Sequence, residues 1–199
     1  MPAFDAILFD FDGVLLDSEP VHYTCWREAL RPLGISLEWE FYREHCIGID
    51  DRLMLKLAVP DRDWDEMWAQ YPAKKELFRS RMLASPPFAE SLRPLLAELA
   101  GGYKLAVVTS SSCSEIEPLL ERGGLRDYFA TLVGGEDVRH HKPAADPYLL
   151  AAERLGAHAP LVLEDSEAGI ASARAAGFAV LEIRDPAEMP ERLRQALAV

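Results

Sequence analysis

The sequence is poor in cysteine, in positive charge and in long apolar runs, and each shortage removes a class of protein. Its three cysteines, Cys25, Cys46 and Cys113, are too few and too scattered for a disulfide framework or a zinc-ligand spacing. A reducing, cytoplasmic setting is therefore expected. No stretch approaches the ~18 to 20 consecutive apolar residues that span a bilayer, so no membrane partner is expected. The N-terminal segment has no basic region, and Asp5, Asp10, Asp12 and Asp17 interrupt its apolar run, which argues against a signal peptide. Lysine and arginine number 21 against 33 aspartates and glutamates, a net charge of -12. That balance argues against a nucleic acid polymer as partner, because a phosphate backbone demands clustered cations. An anionic small molecule would need its charge met locally.

What is present is enough apolar material for a core, 49% of 199 residues. Five short apolar runs stand out: Ala6 to Phe9, Leu105 to Val108, Thr131 to Val133, Leu161 to Leu163, and Ala179 to Leu181. Each is too short for a helix and continuous rather than alternating, as in strands buried on both faces. Helical patterns separate the later runs, over Ser91 to Ala100, Ser114 to Arg122, Pro147 to Leu155 and Ser166 to Ala176. Strand-helix alternation predicts an α/β fold, a Rossmann-like parallel sheet.

The rhythm breaks over residues 17–84, which hold no convincing strand and all four tryptophans, Trp26, Trp39, Trp64 and Trp68. Helices are expected from Pro20 to Pro32, Leu37 to Cys46, Asp51 to Val59 and Arg62 to Leu83, with the tryptophans in their core. Lys56, Lys74 and Lys75 read as solvated helix faces. The expected organisation is thus an α/β core of residues 1–16 and 85–199 interrupted by a helical insertion, 17–84.

Ligands of open α/β sheets bind beyond the carboxyl ends of the strands. After the first run comes Asp10-Phe11-Asp12-Gly13; after the second, Thr109 to Ser112. Lys142-Pro143 lies a short loop beyond the third, and Glu164-Asp165-Ser166 follows the fourth. Each alone is ordinary: a turn, an N-cap, a helix start. Together they gather four acids, a hydroxyl run and a lysine at one edge. Crowded carboxylates repel unless a cation neutralises them, and hard oxygen ligands with no histidine or cysteine within these motifs suit Mg2+. A carboxylate can attack a phosphoryl group, and a phosphate ester needs its charge neutralised and its leaving oxygen protonated. Asp10 is the candidate nucleophile and Asp12 the candidate acid/base. Lys142, the Thr109 hydroxyl and the Ser110 backbone N–H are candidates for holding the phosphate.

At these residues the chain resembles the haloacid dehalogenase superfamily, in its phosphatase and β-phosphoglucomutase-like branch with a helical cap. The stretch Asp10 to Glu19 looks like the first family motif, Thr109 the second, Lys142-Pro143 the third, and Glu164 to Ile170, running on to Gly177, the fourth. The resemblance implies Mg2+ bound by Asp10, the Asp12 carbonyl and Asp165, with Glu164 behind them. It implies hydrolysis of a small phosphorylated metabolite (a phosphosugar, phosphoglycolate or a nucleotide monophosphate) by a monomer or homodimer. A phosphosugar mutase and a non-catalytic binding module on the same fold are the alternatives. Mutase members carry a lysine before the cap-loop glycine and an arginine three residues on; here Ile47 precedes Gly48, and Asp51 stands where the arginine would, with Arg52 displaced by one. His22, Gly48 and Arg52 are the candidate specificity positions.

Overall fold

A computed structural model of the chain describes residues 4–47, 49 and 51–198. The chain divides into two compact units, Met1–Asp17 with Pro86–Val199, and Ser18–Ser85.

The first unit is a five-stranded parallel sheet. Its strands are β1 (Ala6–Phe9), β2 (Lys104–Val108), β3 (Thr131–Val133), β4 (Pro160–Glu164) and β5 (Ala179–Glu182), in spatial order β3-β2-β1-β4-β5. All four residues of β1 are fully buried, which explains the unbroken apolar run: Ala6 and Leu8 face one side of the sheet, Ile7 and Phe9 the other. Five helices belong to this unit: α6 (Leu92–Ala100), α7 (Cys113–Arg122), α8 (Asp146–Leu155), α9 (Glu167–Ala175) and α10 (Met189–Leu197). Helix α8 buries Tyr148, Ala151 and Leu155 against Leu8, Ala106, Val133 and Val162, at the i, i+3, i+7 spacing of one helix face. Helix α10 has no counterpart among the sequence-based expectations; it buries Met189 and Leu193, four residues apart.

The strand order sets the location of the chemistry. From β1 the sheet grows outward through β2 and β3, then the chain crosses back to add β4 and β5 on the other side of β1. The reversal leaves a crevice beside the end of β1, where open α/β sheets take their ligands. Register makes this concrete: Phe9 pairs with both Val107 and Leu163, so Asp10 stands level with Val108 and Glu164.

The second unit is helical, with α1 (Glu19–Leu30), α2 (Trp39–His45), α3 (Asp51–Ala58), α4 (Trp64–Trp68) and α5 (Tyr71–Ala84). Trp26, Leu30, Met54, Leu55 and Met67 fill its core, with Trp39, Trp64 and Trp68 packed half-buried against them. The single helix expected from Arg62 to Leu83 is two. Pro72 has no N–H to donate, and its ring would strike the Trp68 carbonyl, so the first helix ends and Pro72 opens the second. The Asp63 carboxylate caps α4 by accepting from the N–H groups of Asp65 and Glu66, both at 3.0 Å. Among the described residues, no helix is long and apolar enough to cross a membrane.

Candidate active site

Asp10 leaves β1 with its N–H still donating to the Leu163 carbonyl at 3.0 Å, which fixes it between β2 and β4. Lys142, on the loop after β3, reaches back under this edge. Its Nζ donates to Asp10 Oδ1 at 2.5 Å, Glu164 Oε1 at 2.5 Å and the Val108 carbonyl at 3.1 Å. All three ammonium donors are thereby used, in a position almost closed to solvent.

Glu164 is fully buried and accepts five hydrogen bonds. Lys142 and the Tyr148 hydroxyl (2.6 Å) share Oε1, while the N–H groups of Asp165 and Ser166 and the Ser166 hydroxyl share Oε2. Such saturation replaces the hydration that a buried carboxylate loses. Gly169 supplies the room: a Cβ there would lie 1.8 Å from Oε1. Gly13 does the same for Asp165, whose Oδ2 would be 2.0 Å from an added Cβ, and its φ of +77° is one that a side chain resists.

Carboxylate oxygens of Asp10, Glu164 and Asp165 all lie within 4.8 Å of one another. Burial pushes the Asp10 carboxyl well above the usual range; Lys142 pulls it back and Glu164 pushes further. Burial, then the charge of Glu164, raises Asp165 to about 6. For Lys142, burial favours the neutral amine, but the Asp10 and Glu164 carboxylates outweigh it and hold the pKa above the ordinary lysine value. Oxygen-only donors, crowded and resisting ionisation, fit a hard divalent cation.

Of the residues singled out in the sequence, Asp10, Lys142, Glu164 and Asp165 come together here. Thr109 is buried at the end of β2, its N–H donating to the Val133 carbonyl and its Oγ1 accepting from Ser111 N–H at 3.1 Å; Ser110 beside it is exposed. Asp12 is exposed on the turn after Asp10, and its carboxylate is not part of the cluster. Tyr148 is the residue missed: in sequence it is one more apolar position of α8.

Within the helical unit, His22 lies against Lys74, with Nδ1 2.8 Å from Nζ, and stacks on Phe78 at 4.0 Å. Lys74 is a correction to the solvated-face reading of the lysines. It is 2% exposed, donates to both Asp51 oxygens at 3.1 and 3.0 Å, and lies over the Trp26 and Phe78 rings. Helix α5 points this lysine at α1 and α3 rather than at water, and Asp51 compensates its charge. Lys56 and Lys75 are exposed. Burial and the neighbouring Lys74 lower the His22 pKa to about 4, against the opposing pull of Asp51. Arg52 sits 4.8 Å over the Trp68 ring, and both line a cavity of about 580 Å³ with Glu19, His22, Tyr42 and Asp51. Gly48 lies outside the described residues.

A parallel sheet whose switch point carries a lysine-anchored carboxylate cluster defines an α/β core of the class that takes its ligands at the strand ends. The chain belongs to the haloacid dehalogenase-like hydrolase family, whose model matches residues 7–183. It is 33% identical over 190 residues to the fructose-1-phosphate phosphatase YqaB of Escherichia coli, covering 91% of this chain and 97% of that one. It is 31% identical to a phosphorylated carbohydrates phosphatase of Thermotoga maritima, over 87% of this chain and 82% of the relative. Among solved structures, a subfamily IA hydrolase of the same superfamily from Geobacter sulfurreducens superposes with a TM-score of 0.78 at 25% identity, covering 96% of this chain and 97% of that one.

Proposed function

We propose that this protein is a Mg2+-dependent phosphatase of small phosphosugar monoesters, working through an aspartyl-phosphate on Asp10. The observation that carries the reading is the three-way grip of Lys142 on Asp10, Glu164 and the end of β2. It sets one ammonium between two carboxylates at the switch point of the sheet. Two curated relatives are named as phosphatases of fructose 1-phosphate and of phosphorylated carbohydrates, which supports both reaction and substrate class.

In this reading Asp10 attacks phosphorus while Asp12, two residues on and exposed, gives its proton to the departing sugar oxygen. Asp12 then takes a proton from the water that hydrolyses the acyl phosphate and regenerates Asp10. The Thr109 O–H and the Ser110 N–H meet the phosphoryl oxygens, while the Lys142 ammonium, its three donors held by Asp10, Glu164 and the Val108 carbonyl, offsets their charge through its field. Bound Mg2+, held by Asp10, Asp165 and the Asp12 carbonyl, would supply charge neutralisation. Glu164 keeps Lys142 in place. The helical unit would act as the cap, with His22 and Arg52 reading the leaving group. Three free cysteines accord with a reducing compartment.

The test is phosphate release from a panel of phosphosugars, phosphoglycolate and nucleotide monophosphates, with Mg2+ and with chelator. Metal-dependent release from a phosphosugar well above the rest is expected. Conversion to an isomer without phosphate release would instead establish the mutase, and silence toward every ester would favour a binding module.

A further inference from the structure

The Tyr148 hydroxyl, buried in the core and in need of a hydrogen-bond partner, takes that partner from the candidate site. Its residue is fully buried in the hydrophobic face of α8, yet its O–H donates to Glu164 Oε1 at 2.6 Å, the same oxygen that receives Lys142. The ring lies 5.1 Å from the Lys142 ammonium. A phenylalanine would fill the same core space and present the same ring face, so the hydroxyl is a separate feature.

Its effect follows from counting acceptors. Two of the five donors to Glu164 share Oε1 and three share Oε2, so neither oxygen has an open face for another positive centre. Yet an oxygen of Glu164 lies within 4.8 Å of oxygens of Asp10 and Asp165, close enough to join them around one ion. Something must decide whether the cluster offers two carboxylates or three. The Oε2 donors all come from the loop that carries Asp165, and would move with it. Tyr148 comes from a different element and anchors the other oxygen.

Given the aspartyl-phosphate reading above, we propose that Tyr148 is a positioning residue. Its hydroxyl holds Glu164 on Lys142 and off the cation, leaving Asp10 and Asp165 as the carboxylate ligands. Two carboxylates with room for water and phosphate suit the small, strictly octahedral Mg2+, whereas a third, mobile carboxylate favours the larger Ca2+. The hydroxyl thus sets metal selectivity and, by holding Glu164 on Lys142, the turnover of the phosphoryl step.

The experiment is Tyr148→Phe, with Mg2+ and Ca2+ binding measured by calorimetry on the full chain, together with thermal midpoint and kcat and KM on a phosphosugar. Loss of one hydrogen bond to a charged group should shift the Ca2+/Mg2+ affinity ratio toward Ca2+ by about threefold or more and lower kcat about 3- to 30-fold, with KM changed less than about twofold. Leu155→Ala, on the same face of α8 but with no hydrogen-bonding group to offer Glu164, is the control for stability alone. A wild-type selectivity ratio and kcat in Tyr148→Phe overturns the assignment, as does the same selectivity shift in Leu155→Ala. A Tyr148→Phe chain that does not fold makes the hydroxyl a requirement for folding and also overturns it. If the wild-type protein hydrolyses no ester, the phosphatase reading fails while the calorimetry still decides the role of Tyr148 toward the cation.

Discussion

Gly169→Ala should destabilise this protein although it replaces a helical glycine with the best helix former. Position 169 is the third residue of α9, where alanine would ordinarily gain about 0.5 to 1 kcal/mol over glycine. Against this stands contact: the new Cβ would lie 1.8 Å from Oε1, 2.0 Å from Cδ and 2.2 Å from Oε2 of Glu164. Neither side can retreat cheaply. Glu164 is fully buried and would forfeit five hydrogen bonds, including the Lys142 pair. Helix α9 is pinned by Ala173 and Ser172, both fully buried, and by the Ser172 hydroxyl donating to the Ala144 carbonyl at 2.5 Å. Breaking a buried ion pair costs about 3 to 5 kcal/mol, so the net loss should be roughly 2 to 4 kcal/mol after the helix gain. Urea unfolding of the metal-free protein measures it. Gly102→Ala, with nothing within 4 Å of its added Cβ, is the control and should stay within about 0.5 kcal/mol of wild type. A Gly169→Ala chain as stable as wild type, or more so, would refute the packing argument, since it would mean that Glu164 has somewhere else to go.

Asp10→Asn should remove turnover while keeping the fold, since an amide matches the shape but is a far weaker nucleophile; normal phosphate release in that variant would end the aspartyl-phosphate account. Mg2+ binding should release protons and tighten as pH rises through about 6, because Asp165 titrates near there and Asp10 is also raised, and both must ionise to bind; calorimetry in two buffers of different ionisation enthalpy checks this. The His22 imidazole should titrate near pH 4 by NMR rather than at its ordinary value, and a midpoint above 6 would contradict its burial against Lys74 and Phe78. Its folded pKa is depressed, so the unfolded chain takes the proton first: stability of about 3 kcal/mol is present above pH 6.5 and lost as pH falls toward 4. Asp165 acts with the opposite sign over much of that range in metal-free protein, so the resonance of His22 is the cleaner observable.

While the edge strand β5 is partly exposed, the sheet was legible because its inner strands, β1, β2 and β4, are buried on both faces along almost their whole length. Such strands must be continuously apolar, and Ala6–Phe9 and Thr131–Val133 begin and end where the runs do. The acids and lysine of the candidate site were legible because they follow strand ends, where an α/β sheet has nowhere else to put a charge. Other features, helix α10 among them, were not. Tyr148 sits on a normal apolar stripe, and its hydroxyl becomes informative only when Glu164 is seen 2.6 Å away. Lys74 lies three residues after Tyr71 and four before Phe78, on the face that α5 turns inward; that spacing was the available signal, but a lysine on a stripe usually snorkels. The break before Pro72 was carried in the sequence by the proline alone, within a run of otherwise good helix formers.

In the proposed mechanism, the charge at the sheet edge also orders events. Three carboxylates, Asp10, Glu164 and Asp165, face one ammonium, Lys142, and the ammonium is fully committed to two of them and a carbonyl. A phosphate dianion approaching this edge as it stands would meet an excess of negative charge in a setting where burial weakens screening. Protonating the acids would relieve the repulsion, and the raised pKa values of Asp10 and Asp165 show that the fold leans that way. But a protonated Asp10 is no nucleophile. A divalent cation is the one neutraliser that permits both phosphate binding and an ionised Asp10, so metal should enter before substrate. The chain's overall charge of -12 reinforces the point, because no long-range field draws an anionic substrate in. Attraction must be built at the site itself, from one lysine, a few N–H and O–H donors and the cation that its carboxylates are spaced to hold.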